Sequence, residues 1–280
     1  ICDFTAGRNS ALLNTADTSA GAISFTVNAG AKVFSQKSNS PALIAQTIGG
    51  GGGFASTTAG AVQLGSGGTG TLNADASSGA INWGNAAGST GTVASELGPI
   101  PTINPGISTS GDLSPAVVLQ TIGGGGGYTT GGTSVSFSAA GHAGTSTRSG
   151  DITVNNSGVI TTSGDNSFGM LLQTIGGGGG VGGSSSGVVS LNNSNANSSS
   201  GDINFTNSGI ISTSGTGSHA VVAQTIAGGG GVVVGGTRKE NSALQLGSNT
   251  GSSGDINVTN TGTISASGDA AVALLFQNAA

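Results

Sequence analysis

Asp151, Asp202 and Asp255 recur in the same string, Ser-Gly-Asp, one repeat apart, and Asp112 and Asp165 form a second such set. Carboxylates at fixed spacing could do two kinds of chemistry. They could act as acid and base on a glycosidic bond, with Lys, Arg or His nearby. They could also bind Ca²⁺. The surroundings favour neither. No cation recurs beside these Asp, and the nonapeptide spacing of Ca²⁺-binding β-rolls is absent. An Asp in such a turn is expected to bond its own backbone.

The remaining reactive side chains are isolated. His142 and His219 fall in different halves of their repeats, share no local partner and are expected to face solvent. Arg238-Lys239-Glu240 reads as a solvated loop tip that could touch a partner. Cys2 is the single cysteine, which excludes an internal disulfide framework and a Cys-rich zinc site. It reads as a small hydrophobe capping the first rung, or as an intermolecular bridge. Ser and Thr rows such as Thr161-Thr162-Ser163 and Ser212-Thr213-Ser214 mix too freely with Asn and Ala for a regular ice-binding array. No catalytic residue, metal or cofactor is expected.

What would position these groups is a repeat. Gln-Thr-Ile followed by Gly or Ala, then Gly, occurs at Gln46, Gln120, Gln173 and Gln224, with a degenerate copy at Gln277. The intervals are 74, 53, 51 and 53 residues. The long first interval places an insertion near Gly88–Asn104, read as a loop because Pro99 and Pro101 do not suit a hydrogen-bonded ladder. After each Gln come Gly runs that open at Gly49, Gly123 and Gly176, and at Gly228 behind Ala227. No Lys-Ser or Lys-Thr follows these runs and none opens a helical pattern, so they are poor phosphate cradles. A flexible linker is a second reading. A structural one stands first: bare backbone permits close approach or positive φ at a corner, within the fold or against a neighbouring copy.

Between these landmarks the apolar period is two. Ile152 and Val154 alternate with Asp151 and Thr153, and Ile256 and Val258 flank Asn257. That is the pattern of half-buried strands. Asn-Ser-Gly, Ser-Gly-Asp and Asn-Thr-Gly punctuate them as turns. No segment carries a helical period. The fold expected is all-β, a single-chain β-solenoid over residues 1–280 with about five repeats. Each repeat divides into two halves, read as two stacked rungs of about 26 residues, giving a rod on the order of 50 Å at ~4.8 Å per rung.

Composition closes off other classes. Gly supplies 56 of 280 residues without a collagen period, and charged residues are only 6% against a usual ~25%. Six Lys and Arg under a net charge of −5 argue against nucleic acid. No apolar run is long enough for a transmembrane helix.

The string Asn260-Thr261-Gly262-Thr263-Ile264-Ser265-Ala266-Ser267-Gly268, with its counterparts at Asn156–Gly164 and Asn207–Gly215, resembles the repeats of bacterial autotransporter passenger domains. Leu171–Gly180 is similar to the repeats of large Gly-rich surface proteins of that type. The resemblance implies a right-handed parallel β-helix exported across the outer membrane and displayed outside the cell. Its role there would be structural or adhesive, with a surface glycan or a receptor on a host or neighbouring cell as partner. The sequence shows neither a signal peptide before Ile1 nor a C-terminal membrane-barrel pattern, as expected of a processed product or a fragment. Neither end carries a polar cap, so the rod is expected to continue in a longer chain or to pair with another copy as a homopolymer, through its ends or its Gly runs. The competing reading is a polysaccharide-binding or polysaccharide-cleaving β-helix, for which Trp83, Tyr128 and scattered Phe are the aromatic resources; ice binding stands behind it.

Overall fold

The computed structural model describes residues 4–6, 18–49, 52–55, 61–65, 76–86, 88–93, 100–130, 134–138, 146–183, 188–192, 197–234 and 251–280. These residues form strands and turns with no helix, and the strands stack in parallel. The fold is a parallel β-solenoid.

Six walls recur along the chain. Wall 1 comprises Ile23–Val27, Ile81–Asn85, Ile152–Asn156, Ile203–Asn207 and Ile256–Asn260. Wall 2 comprises Val33–Ser35, Ile107–Thr109, Val159–Thr162, Ile210–Thr213 and Thr263–Ala266. Wall 3 holds the Gln strands Leu43–Ile48, Val117–Ile122, Met170–Ile175, Val221–Ile226 and Leu274–Ala279. Wall 4 is the glycine wall: Gly52–Ala55, Gly125–Thr130, Gly178–Gly183 and Gly230–Val234. Wall 5 comprises Phe4–Ala6, Ala61–Gly65, Ser134–Ser138 and Val188–Asn192. Wall 6 comprises the short strands Thr18–Ser19, Ala76–Ser77, Ser146–Arg148 and Asn197–Ser199.

The rung count differs from the sequence reading. Strands pair one whole repeat apart: Gln46 lies beside Gln120, which lies beside Gln173, then Gln224, then Gln277. One repeat is therefore one coil, not two rungs. The reason lies in wall 3. In its three middle strands every residue is buried, on both faces. A strand apolar on both sides needs cover on both sides. Walls 1 and 2 cover one face, enclosing Ile81, Ile152, Ile160, Leu119, Leu172 and Phe205. Wall 4 covers the other, where Tyr128 and Val181 meet Val118, Leu171 and Val222. The second half of the repeat thus builds a second lobe of the same coil. Five coils at ~4.8 Å make a stack of roughly 20–25 Å, about half the length expected from ten rungs.

The insertion is ordered differently from a loop. Gly88–Val93 pairs antiparallel with Ile100–Pro105. This hairpin enters between walls 1 and 2 of the second coil, where later coils pass directly through Ser157-Gly158 and Ser208-Gly209. Pro101 and Pro105 lie within this ribbon, opposite Thr92 and Gly88, and Pro99 lies outside the described residues.

The corner between walls 2 and 3 turns through one left-handed residue per coil: Asn39, Leu113, Asn166, Gly217 and Ala270, with φ of 58°, 53°, 51°, 66° and 54°. An L-residue there costs roughly 1–2 kcal/mol. Leu113 recovers part of this by packing on the second lobe. Ala270 is exposed and has no such return. Ala270→Gly is expected to stabilise the fold by about 0.5–1 kcal/mol, net of the extra freedom of glycine in the unfolded chain. Chemical denaturation of the two proteins measures it.

Candidate functional site: the ladders between coils

The Gln strings meet as a continuous side-chain ladder. Gln46 Nε2 donates to Gln120 Oε1, Gln120 to Gln173 and Gln173 to Gln224, each at 2.6 Å, and Gln224 donates in turn to Gln277. Gln120 and Gln173 are fully buried. Gln120 Nε2 also reaches the Gly127 carbonyl at 3.3 Å, tying wall 3 to wall 4. A primary amide suits this place because it carries donor and acceptor together and passes the bond from coil to coil.

A second amide ladder closes wall 1. Asn85 donates to Asn156 at 2.7 Å, Asn156 to Asn207 at 2.6 Å and Asn207 to Asn260 at 2.7 Å. Sequence reasoning missed it, reading the Asn as turn punctuation. The signal was their recurrence at the same phase as the Gln. Ser114, Ser167 and Ser218 form a third file: Ser114 N–H donates to Ser167 Oγ and Ser167 N–H to Ser218 Oγ, both at 2.9 Å.

The Asp sets also lie in files, but their bonds are not to their own turns. Asp202 N–H donates to Asp151 Oδ1 at 2.9 Å, and Asp255 N–H to Asp202 Oδ1 at 2.8 Å. At the opposite corner Asp165 N–H donates to Asp112 Oδ1 at 2.9 Å, and Thr216 N–H to Asp165 Oδ1 at 2.8 Å. Each carboxylate accepts from the following coil, so these Asp are axial connectors. Among the described residues no three of His, Cys, Asp and Glu converge as metal ligands would.

The Gly runs divide into two parts. Gly49, Gly123 and Gly176 turn the corner after wall 3, each N–H donating to the Ile carbonyl that ends the next coil's wall 3 strand. Gly177 N–H donates to the Gly228 carbonyl at 2.8 Å. Beyond the corner the glycines form wall 4 itself. Gly126, Gly127, Gly179, Gly180, Gly230 and Gly231 lie at φ between 138° and 155°. In that conformation a Cβ would point along the stack: on Gly126 it would lie 1.9 Å from the Gly179 oxygen, and on Gly127 1.9 Å from the Gly53 oxygen. The close approach anticipated from sequence is therefore between coils, within the fold.

His219 is half-buried rather than solvent-facing. Its ring stacks on Phe168, centroids 5.5 Å apart at 6°, and Nδ1 accepts the Val272 N–H at 3.0 Å. Burial lowers its pKa below the ordinary 6.5, and only the neutral ring can accept at Nδ1. A base with a depressed folded pKa contributes stability in full above its unfolded value, and loses it as pH falls through the folded value. Stability is expected to be level above pH ~6.5 and to decline below it, with a smaller decline in His219→Phe. Denaturation midpoints at stepped pH, compared between the two proteins, test this.

Trp83 and Tyr128 both lie inside the stack, 2% and 4% exposed. Neither offers a ring face to a sugar. Cys2, His142 and Arg238-Lys239-Glu240 lie outside the described residues. No helix among the described residues is long and apolar enough to cross a membrane. Comparison of the chain with protein-family models, with curated proteins and with solved structures yields no match.

Proposed function

We propose that the chain is a non-catalytic rod segment with a structural or adhesive role at the bacterial outer surface or in the extracellular matrix, of the autotransporter-passenger kind that its repeats resemble. One observation carries this reading. The repeated polar residues, Gln, Asn, Asp and Ser, are spent on bonds from one coil to the next. A repeat whose polar groups serve its own stacking is suited to building length. The low charge and the scarcity of reactive side chains fit a surface that bears load or displays contacts rather than performing chemistry.

The test is location and loss. Antibody labelling of intact cells of the native source should find the chain accessible from outside, and protease added to those cells should remove it. Deletion should weaken attachment to other cells or to matrix. A chain found only after lysis, with attachment unchanged in the deletion strain, would refute the reading.

A further inference from the structure

Wall 1 carries two files of Asn, one on each face. Asn204-Phe205-Thr206 and Asn257-Val258-Thr259 each have the form Asn-X-Thr. An Asn with a hydroxyl two residues on is the acceptor pattern for an N-linked sugar. In an extended strand residues two apart share a face, so amide and hydroxyl are offered together. Phe205 is buried in the core, while Asn204 and Thr206 look outward beside it. Asn257 and Thr259 pair with them in register and look the same way. The exposure at Asn204 is lateral, since its strand is paired with the third coil on one side and the fifth on the other.

The inner file is closed to this chemistry. Asn207 Nδ2 donates to Asn260 Oδ1 at 2.7 Å and to the Gly209 carbonyl at 3.3 Å, so both its protons are engaged. Asn156 Nδ2 does the same with Asn207 Oδ1 at 2.6 Å and the Gly158 carbonyl at 3.5 Å. Two residues after each ladder Asn stands a corner glycine, Gly158, Gly209 or Gly262. Ser or Thr does not fit there: a Cβ on Gly209 would lie 2.1 Å from the Gly158 oxygen, and on Gly262 2.1 Å from the Gly209 oxygen. The outer amides are freer. Asn257 Nδ2 donates to Asn204 Oδ1 at 3.2 Å, which occupies one of its two protons. Coil stacking thus keeps the acceptor pattern off the ladder Asn and leaves it open to the outward ones.

We propose that the outer face of wall 1 is a glycosylation surface, with Asn204 and Asn257 as acceptors and Thr206 and Thr259 as the hydroxyls that mark them. The co-substrate is a sugar activated as a glycosyl diphosphate. The Asn Nδ2 attacks its anomeric carbon. A C–N bond forms, the C–O bond to phosphate breaks, the diphosphate leaves with the electron pair, and one Nδ2 proton passes to a base of the transferase. The substituted amide keeps one N–H, so the Asn257 to Asn204 bond survives the change. The sugar hydrates a wall whose outward residues are uncharged Asn, Thr, Ser and Gly. The inference goes beyond the rod reading and fails separately from it: an unmodified chain displayed outside the cell sinks this one and leaves that one standing.

The experiment maps peptides of the chain purified from its native source by mass spectrometry. A sugar is expected on Asn204, on Asn257 or on both, and on none of Asn156, Asn207 and Asn260. The two acceptors stand one coil apart, ~4.8 Å, so occupancy of either suffices. A single added sugar points to a nucleotide-linked donor and a preassembled oligosaccharide to a lipid-linked one; both support the proposal. Made in the same source, Thr206→Ala should abolish the sugar at Asn204 and Thr259→Ala that at Asn257, although each amide remains. The corresponding Thr→Ser variants should keep it. Fluorescence of the single Trp83 reports whether each variant is folded. Native peptides unmodified at both Asn204 and Asn257 overturn the proposal. So does a sugar on a ladder Asn, or one that survives loss of its hydroxyl.

Discussion

Gly126→Ala is expected to cost more than ~4 kcal/mol and to open wall 4 between the second and third coils. Two penalties combine. The backbone stands at φ 142°, where an L-residue is strained. The new Cβ would also lie 1.9 Å from the Gly179 oxygen, with the Gly179 carbon and nitrogen at 2.9 Å. That neighbour is backbone held on both sides by the ladder, so it has no rotamer to yield. Gly53→Ala separates the penalties. Its φ is 143°, yet nothing lies within 4 Å of a Cβ there. It should cost only the conformational strain, about 1–3 kcal/mol. Equilibrium denaturation followed through Trp83 gives both values. Equal losses would show that strain alone keeps these positions glycine.

Gln173→Leu is expected to cost about 2–5 kcal/mol, since it strands two buried groups at once. Gln120 Nε2 keeps only its 3.3 Å bond to Gly127, and Gln224 Oε1 loses its donor. Gln277→Leu should cost about 1 kcal/mol, because that residue is half-exposed and bonded on one side. The informative variant is the triple one, Gln120, Gln173 and Gln224 all to Leu. It removes donors and acceptors together, so its cost should fall well below three times the single loss. Additive losses would mean that the amides act singly and that the ladder is not a unit.

The strands were legible because their apolar period is local: Ile152 and Val154, Ile203 and Phe205 declare an inward face without reference to anything distant. The repeat length was legible from the Gln. What stacks on what was not. Both a two-rung and a one-coil repeat satisfy the same spacing, and the arbiter is whether wall 3 is buried on one face or two. Val117-Val118-Leu119 carries that answer as an unbroken apolar run, the mark of two-sided burial, though the Gln and Thr that follow disguise it. The Asp files were visible as spacing, but not their bonds, because a turn Asp that bonds its own backbone and one that bonds the next coil are the same residue in the same string. The glycine wall could be anticipated as close approach. Positive φ, expected at a corner, falls instead along wall 4, where on most of these glycines a Cβ would meet the carbonyl of a neighbouring coil.

One coil per repeat has a mechanical consequence. Tension applied along the axis of the stack loads the ladders at right angles to the strands, so they part in sequence, like a zip, rather than sliding together. The coil that carries the hairpin holds 74 residues and the later ones 51 to 53, so a later coil that opens yields roughly 170–190 Å of slack from a layer only ~4.8 Å thick. A stack only a few coils deep thus stores many times its own length, and gives it up one coil at a time while the coils behind remain folded. A tether built this way would stretch under a sudden pull instead of breaking.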